Sequence, residues 1–361
     1  MNKKHLLVFT GGTISASQKD SEIIRGQKTF ELLKNYDAQD FDIIEPVDIL
    51  SENMTPEIIF RIFKHIADKI KGQNYKSIIV THGTDTLAYT AQCGALLLSQ
   101  LPFPVIFLGS KLPAGHPEMD GKINFHHAYQ LAEQVNSGVF VVSRHQNGSD
   151  IVFAAENVQQ ADFTSDDFSA FQNHIFGWFK DGKLVKNTSF HPCLQVSYQN
   201  SRLPDAAVFI RLFENPETDT QSSQINFESY STPFQYLPEP FQHLLENEKI
   251  TNIREVLMIP AYVGQDYSIY DLENFKGKYI LHQMYHSGTA CIQGVVPNHR
   301  LTDFARRCKQ AGKRLFIAPL YSDRALYETT AALLKEDVTP LYDMPVERAW
   351  AVLTLASWLN G

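Results

Sequence analysis

The chain has 361 residues, of which 43% are hydrophobic and 20% charged, a composition typical of a soluble globular protein. This length exceeds what one ordinary hydrophobic core supports, so we expect two domains. The net charge of −8 argues against nucleic acid or an anionic membrane as a partner. The four cysteines are far apart and form no C-x-x-C pair, which predicts neither a zinc site nor a disulfide framework. We expect no metal and no cofactor.

The amino terminus carries basic residues, but its apolar run covers only residues 6–9. This run is too short for the core of a signal peptide, and no later stretch is long enough to cross a membrane. We therefore expect a cytoplasmic protein without a membrane partner.

The first predicted strand, residues 5–10, runs into Gly11-Gly12-Thr13-Ile14. Glycines directly after a strand let the backbone approach a ligand and leave amide groups to point at it. We expect Thr13 at the carboxyl edge of the sheet with its hydroxyl presented. A dinucleotide-binding protein is a weaker alternative, because the third glycine of G-x-G-x-x-G is missing. The polar residues 15–28 predict a mobile loop over the site.

Strand and helix signals then alternate along the chain. After a strand at 41–44, Thr55 and Pro56 supply the N-cap and first position of a helix whose apolar face reaches Ile70. Asn147-Gly148 predicts a hairpin. This alternation predicts a parallel sheet with right-handed crossovers. The further predicted elements are strands at 77–80, 105–108 and 138–142 and helices at 87–99 and 123–134.

The most informative stretch is Thr81-His82-Gly83-Thr84-Asp85-Thr86, between the strand at 77–80 and the helix. In an open parallel sheet this turn lies at the carboxyl edge, where ligands bind. The helix amino terminus behind it favours negative charge, from a substrate carboxylate or a developing oxyanion. One or two such residues would be an ordinary helix cap. Six polar or glycine positions in a row exceed what capping needs and predict a functional site.

The periodic pattern dissolves at about residue 201. We predict an amino-terminal catalytic domain over residues 1–200, an interdomain connection over 201–252 with one strand at 207–212, and a carboxyl-terminal α/β domain over 253–361. The last domain is expected to contain strands at 255–259, 279–284 and 314–318 and helices at 301–311, 325–334 and 346–359. The predicted fold class is therefore α/β.

Two motifs together resemble the bacterial-type L-asparaginase family: T-G-G-T-I at residues 10–14 and T-H-G-T-D-T at residues 81–86. Ser51-Glu52-Asn53-Met54-Thr55, Leu108-Gly109-Ser110 and Asp120-Gly121 also fit. The resemblance covers residues 3–143, is loose in the last third of the chain and is greatest to the cytoplasmic branch. It implies a Rossmann-like amino-terminal domain, a smaller carboxyl-terminal α/β domain and a homo-oligomer, either a dimer or a tetramer.

The resemblance also implies that L-asparagine, or a related small amino-acid amide, is hydrolysed to the acid and ammonia. Thr13 would attack the amide carbon, Thr84 would be a second essential threonine, and Asp85 would support proton movement. This assignment fits general chemistry, because a threonine hydroxyl is a poor nucleophile until a base takes its proton. The tetrahedral intermediate then needs preorganised hydrogen-bond donors.

The substrate-binding residues implied by the resemblance come from the same loops. Ser51 would hold the α-carboxylate of the substrate, and Asp85 would bind its α-ammonium group. Glu52 would add a charged contact to the ammonium group. Gly83 belongs to the same substrate-binding set.

Two side chains that the family pattern leads us to expect are missing. The family pairs the second threonine and the aspartate with a lysine in the hairpin after the fifth strand, but no lysine lies between Lys122 and Lys180. Aligning forward from the strand at 138–142 puts Ala155 at that position, and aligning backward from residues 168–171 puts Asp162 there. In the loop at 15–30, Ile23 occupies the place of a catalytic tyrosine.

Three interpretations of the missing lysine stay open. Lys111, after the fourth strand, is a candidate replacement, although an exposed loop lysine is the commoner case. A different amide substrate would recruit His82 or Glu52 as the base. The third interpretation is a catalytically impaired protein that binds a small amino acid without turning it over. Loss of a proton-transfer group typically costs ~10²–10⁴-fold in rate.

Overall fold

The structure is a computed structural model that describes residues 3–19, 22–25, 30–113, 116, 118–190, 242, 245 and 255–359, with side chains left undescribed at 15–31. The chain divides into two compact units. The described part of the first unit is residues up to 190 with Gln242 and Leu245, and that of the second is residues 255–359. Apart from Gln242 and Leu245, the predicted connection at 201–252, with its strand at 207–212, lies outside the described residues.

The first unit is built on an eight-stranded sheet and two small hairpin sheets. The strands are β1 (His5–Phe9), β2 (Ala16–Lys19), β3 (Glu22–Arg25), β4 (Phe41–Ile44), β5 (Ser77–Thr81), β6 (Pro104–Leu108), β7 (Gly138–Arg144), β8 (Asp150–Ala154), β9 (Val158–Gln159), β10 (Ser169–Ala170), β11 (Gly177–Lys180) and β12 (Lys183–Lys186). The large sheet has the order β12-β11-β8-β7-β6-β5-β1-β4. Its strands β4, β1, β5, β6 and β7 run parallel, whereas β8, β11 and β12 are antiparallel to their neighbours.

The central strands β1, β5 and β6 are buried at every residue. Their near-continuous apolar sequences are typical of parallel strands covered on both faces. The register aligns their ends, because Phe9 pairs with Thr81 and Thr81 with Leu108. The loops that follow these three strands therefore begin at one edge of the sheet.

The strand order reverses at β1. The chain passes from β1 to β4 on one side and then crosses to β5 on the other side. In open α/β sheets, ligands bind in the crevice outside the carboxyl ends of the strands at such a reversal. The loops after β1 and β5 are therefore placed where a site is expected.

The α-helices of the first unit whose bounds are described are α1 (Phe30–Leu33), α2 (Pro56–Ile70), α3 (Thr84–Leu98) and α4 (Asp120–Gln134). The prediction for α2 is confirmed, since Thr55 is its N-cap and the Thr55 hydroxyl oxygen accepts the Ile58 N–H at 3.4 Å. Helix α3 begins at Thr84, three residues earlier than predicted, with Gly83 as N-cap. Thr84, Asp85 and Thr86 therefore form the first helical turn and do not precede the helix.

The segment predicted as a loop at residues 15–28 contains regular structure. Strands β2 and β3 pair antiparallel, with Ser17 opposite Ile24 and Lys19 opposite Glu22. The β-branched residues Ile23 and Ile24 favour a strand, a preference that the polar residues around them obscure in the sequence.

The second unit contains four parallel strands in chain order, β13 (Leu257–Pro260), β14 (Tyr279–Gln283), β15 (Arg314–Leu320) and β16 (Val338–Tyr342). Its helices are α5 (Leu301–Gln310), α6 (Glu328–Leu333) and α7 (Val346–Leu359). Neighbouring residues such as Ile280 and Leu281 enter separate apolar cores, as expected for a strand covered on both faces. Strand β16 is absent from the sequence prediction because Pro340 interrupts its apolar pattern.

The predicted fold class is confirmed: a Rossmann-like parallel-sheet amino-terminal domain is followed by a smaller carboxyl-terminal α/β domain. Within the described ranges, none of the helices is both long enough and apolar enough to span a membrane.

Candidate functional site

The loops after β1 and β5 touch through two glycines. A Cβ on Gly12 would lie 2.5 Å from the Gly83 Cα, and a Cβ on Gly83 would lie 3.3 Å from the Gly12 Cα. Gly12 also has a φ of +80°, in the left-handed region that favours glycine. The Gly12 N–H donates to the Ile49 carbonyl at 2.8 Å, which ties the loop after β4 to the same point. This contact brings together the loops that carry Thr13 and Thr84, the residues that follow the two glycines.

Thr13 begins a short 3₁₀ helix, Thr13–Ser15, directly after this contact. Thr13 is half-buried, whereas its neighbour Ile14 is 1% exposed and belongs to the core of the first unit. The predicted nucleophile therefore stands on a backbone that is anchored on one side by apolar packing and on the other by the glycine contact.

The first turn of α3 supplies backbone donors at the same edge. The first amide groups of any α-helix lack partners within the helix. In α2 the Thr55 side chain satisfies one of them, but the N-cap of α3 is Gly83, which makes no side-chain cap bond. The partial positive charge at this helix end therefore remains available to a negatively charged group.

Ser51 joins the loop after β4 to this helix end. Its Oγ donates to Asp85 Oδ2 at 2.9 Å, and its carbonyl oxygen accepts a hydrogen bond from Thr86 Oγ1 at 2.9 Å. Ser51 is only 4% exposed, whereas Asp85 is exposed, so a buried hydroxyl orients a solvent-exposed carboxylate. Thr86, which has no role in the sequence prediction, is part of this connection. Glu52 lies next to Ser51 in the same short 3₁₀ helix and is exposed.

Gly83 is confined by Ser51 as well as by Gly12. A Cβ at position 83 would lie 2.4 Å from Ser51 Oγ and 2.6 Å from Ser51 Cβ. These distances are far below van der Waals contact. The absence of a side chain at Gly83 is therefore what allows Ser51 to reach Asp85.

His82 is fully buried behind the candidate site. Its Nδ1 forms a 2.8 Å hydrogen bond with the Gly83 carbonyl, which requires the proton on Nδ1, and Nε2 has no partner among the described atoms. Burial lowers the pKa of His82 to about 4, so the imidazole is neutral at neutral pH. This burial weakens the interpretation in which His82 is the catalytic base.

Lys111 lies in the loop after β6, and its ammonium group is bound by Asp167. The two side chains are 13% and 16% exposed, and the Asp167 carboxylate also accepts the Gln146 N–H at 3.0 Å. The loop itself is fixed by Asp120, which accepts hydrogen bonds from Ser110 Oγ at 2.9 Å and from the Lys111 N–H at 3.0 Å. The candidate replacement lysine is thus engaged in a largely buried ion pair.

The segment in which a lysine is expected brings Gln160 to the candidate site. Gln160 Nε2 donates to the Asp85 carbonyl at 3.2 Å. Of the two positions that alignment indicates, Ala155 is fully buried with its N–H bonded to the β7 backbone, and the Asp162 carboxylate accepts the Thr164 N–H at 2.9 Å. No signal in the sequence points to Gln160, because its contact joins residues far apart in the chain. The side chain of Ile23, at the expected tyrosine position, lies outside what the structure describes.

Among the residues that the structure describes, no three His, Cys, Asp or Glu side chains are grouped so as to hold a metal ion. The chemical groups at the candidate site are hydroxyls, carboxylates and backbone amides. Such a set suits acyl transfer, in which a hydroxyl attacks a carbonyl carbon and backbone donors receive the oxyanion.

Sequence comparison relates this chain to known families. Residues 4–189 match the protein family described as "Asparaginase, N-terminal". Over 143 residues the chain is 35% identical to L-asparaginase 1 of Escherichia coli (strain K12), and over 151 residues it is 34% identical to a glutamyl-tRNA(Gln) amidotransferase component of Saccharolobus islandicus (strain L.S.2.15 / Lassen #1). The match to the Escherichia coli protein covers 37% of this chain and 41% of that relative. The match to the Saccharolobus islandicus protein covers 40% of this chain and 34% of that relative. The chain thus spans less than half the length of these relatives.

Two solved structures resemble the fold over nearly the whole chain. The probable cytoplasmic L-asparaginase from Campylobacter jejuni gives a TM-score of 0.67 at 19% identity, with 98% of this chain and 95% of that chain covered. The thermostable L-asparaginase from Thermococcus kodakarensis gives 0.65 at 18% identity, with 96% and 90% covered. At these identities the likeness establishes a shared fold.

Proposed function

The chain belongs to the asparaginase family, and from this premise we propose that it is an amidohydrolase that converts L-asparagine, or a related small amino-acid amide, to the acid and ammonia. The family match at residues 4–189 includes every candidate site residue: Thr13, Ser51, Glu52, Gly83, Thr84 and Asp85. The glycine contact between the loops after β1 and β5 is the observation that carries the proposal, because it brings the loop of a reachable threonine to a helix end that offers backbone donors.

In the proposed reaction, the Thr13 hydroxyl attacks the carbon of the substrate amide as its proton is removed. The tetrahedral oxyanion collapses, the C–N bond breaks, and the nitrogen takes up a proton and leaves as ammonia. The resulting ester on Thr13 is then hydrolysed by water, which releases the acid and restores the hydroxyl. The helix dipole at the start of α3 favours the negative charge that develops on the oxygen.

The remaining site residues have binding and proton-handling roles in this proposal. Asp85 binds the α-ammonium group of the substrate and, with Thr84, supports proton movement. Ser51 holds the α-carboxylate, which requires its hydroxyl to exchange the Asp85 oxygen for a substrate oxygen. Glu52 adds a second negative charge for the ammonium group, and its exposure supports this role.

The test measures ammonia release from asparagine, glutamine and other small amides by the wild type and by Thr13→Ala. We expect the substitution to abolish release, because it removes the attacking oxygen. Thr302→Ala is the matched control, since Thr302 is half-buried on α5 of the second unit, and it is expected to leave release unchanged.

A catalytically impaired binding protein is the alternative that this test separates. No release from any amide, together with a melting temperature that asparagine or aspartate still raises, would indicate binding without turnover and reject the enzyme. A homo-oligomer, a dimer or a tetramer, and a cytoplasmic location stay predictions. Light scattering of the purified chain and cell fractionation test them directly.

A further inference from the structure

We propose that Gln160 is a positioning residue of this site and that the neutral amide at position 160 limits its rate. The proposal rests on the amidohydrolase function proposed above. It concerns the backbone carbonyl of Asp85, to which the roles assigned so far give no function.

The contact that carries the inference is made to the backbone of Asp85. Gln160 Nε2 donates to the Asp85 carbonyl oxygen at 3.2 Å, and Ser51 Oγ donates to Asp85 Oδ2 at 2.9 Å. The peptide and the carboxylate of one residue are therefore each held by a separate side chain. The Asp85 carbonyl belongs to the peptide between Asp85 and Thr86, so a shift of this peptide moves the Asp85 side chain within the first turn of α3, the turn that also carries Thr84.

The segment that presents Gln160 is itself fastened to α3. Gln92, a fully buried residue of that helix, donates through Nε2 to the Glu156 carbonyl at 3.1 Å and to the Val158 carbonyl at 2.9 Å. Two glutamine side chains thus connect α3 with residues 156–160: Gln92 belongs to the helix and Gln160 to the segment. Gln160 therefore reaches Asp85 from a segment whose distance to the helix is already fixed.

The chemistry at position 160 follows from its neutral amide. An amide donates a hydrogen bond but neither takes up nor releases a proton near neutral pH. An ammonium group in the same place would add positive charge beside Asp85 and would be able to carry a proton. General acid–base groups contribute ~10²–10⁴-fold to rates, so the residue at position 160 is expected to control turnover. Gln160 is exposed, which leaves room for a longer side chain.

The experiment compares Gln160→Met and Gln160→Lys with Gln159→Lys in the full chain, using ammonia release as the assay. Gln159 is the matched control, because adjacent residues of an extended segment project to opposite sides. Gln160→Met removes the donor at similar size, and we expect kcat to fall about tenfold, which corresponds to about one hydrogen bond. Gln160→Lys is expected to raise kcat at least ~10-fold, and Gln159→Lys to leave it unchanged.

The pH profile separates this role from a merely structural one. A cation beside a carboxylate lowers the pKa of that carboxyl. We therefore expect the acid limb of the kcat/KM profile to move to lower pH in Gln160→Lys but not in Gln159→Lys. Thr13→Ala introduced into Gln160→Lys is expected to abolish the gained activity, which would place that activity at the same site.

The outcomes distinguish failure of this inference from failure of the proposed function. A wild-type kcat in Gln160→Met, or equal effects of the two lysine variants, overturns the role of Gln160 while the dependence on Thr13 stands. Ammonia release that Thr13→Ala leaves intact, or no release by any variant, overturns the proposed function and this inference with it.

Discussion

Each of the two units has a parallel sheet with a carboxyl edge. Among the described residues of the first unit, polar side chains connect the loops that follow different strands at this edge. In that unit, the Ser51 hydroxyl connects the loop after β4 to Asp85 at the start of α3. In the second unit, the corresponding hydroxyl contact stays within one loop, where Ser287 Oγ and Thr289 Oγ1 lie 2.9 Å apart. Loops of the second edge are also joined, because Asp343 after β16 accepts the Ser322 N–H at 3.0 Å, but Asp343 is only 8% exposed, whereas Asp85 is exposed. A parallel-sheet edge is thus not sufficient for a site, and a connection that ends on an exposed carboxylate is what distinguishes the first unit.

The two edges differ in their exposed apolar side chains. The residues buried near the first edge include polar ones, among them Ser51, His82 and Ser110, and Thr330 and Asp343 are buried polar residues at the second edge. Buried polar groups require partners and therefore fix the local geometry at both edges. After β13 and β14 of the second unit, however, Val263 and Val295 are each 94% exposed.

The same serine-to-alanine substitution at both edges tests this difference most directly. Ser51→Ala removes a hydroxyl that bonds a carboxylate, and we expect kcat/KM for asparagine to fall about 10–100-fold, as for a hydrogen bond to a charged group. Ser287→Ala removes the comparable hydroxyl of the second unit and is expected to leave kcat/KM unchanged. Steady-state ammonia release measures both variants. Equal losses would show that the two edges do not differ in function.

Lys111 and Lys313 each donate hydrogen bonds through Nζ, but to acceptors of different charge. Lys111 is held by Asp167, whereas Lys313 donates to the carbonyl oxygens of Phe275 at 2.6 Å and Gly277 at 2.9 Å. Lys111→Met leaves a largely buried carboxylate without its cation, so we expect the free energy of unfolding to fall by about 3 kcal/mol. Lys313→Met leaves neutral carbonyls, and about 1 kcal/mol is expected. Urea denaturation measures both changes.

The turnover of Lys111→Met decides whether Lys111 replaces the missing lysine. Because its ammonium group is engaged by Asp167, we expect the turnover of Lys111→Met to stay near the wild-type value. A folded Lys111→Met variant whose turnover falls by ~10²-fold or more would instead identify Lys111 as a proton-transfer group.

A pH dependence of stability is expected to originate at His82. Its pKa is lowered to about 4 by burial, so between this value and 6.5 the unfolded chain binds more protons than the folded one. The stabilisation is complete above pH 6.5 and is lost as the pH falls toward 4. Lowering the pH from 7 to 5 should therefore cost the wild type about 2 kcal/mol more than His82→Asn, which has no imidazole. Denaturation curves at the two pH values test this, and parallel losses would contradict it.

Features determined by neighbouring residues were predictable from the sequence. Thr55 and Pro56 mark the start of α2 because capping needs only residues of the first turn, and Asn147-Gly148 marks the hairpin between β7 and β8. The sequence predicts the start of α3 three residues too late, because Thr84, Asp85 and Thr86 are of residue types common in helix caps as well as in first turns.

The candidate site was predictable only in part, because only some of its contacts are determined by residues close together in the chain. Thr13, Ser51, Thr84 and Asp85 belong to motifs in which chemistry and local structure coincide. The contacts of Gln160 with Asp85 and of Lys111 with Asp167 depend on how distant segments pack, and no short pattern encodes such packing.

The contact between Gly12 and Gly83 also determines how the site tolerates redesign. A side chain at either position would separate the two loops, and a second substitution at the other glycine adds bulk to the same gap without relieving it. Each route from this chain to a wider substrate range therefore has to keep both glycines. Mutant libraries are better directed at exposed positions such as Glu52 and Gln160, where new side chains reach solvent and the backbone contact stays intact.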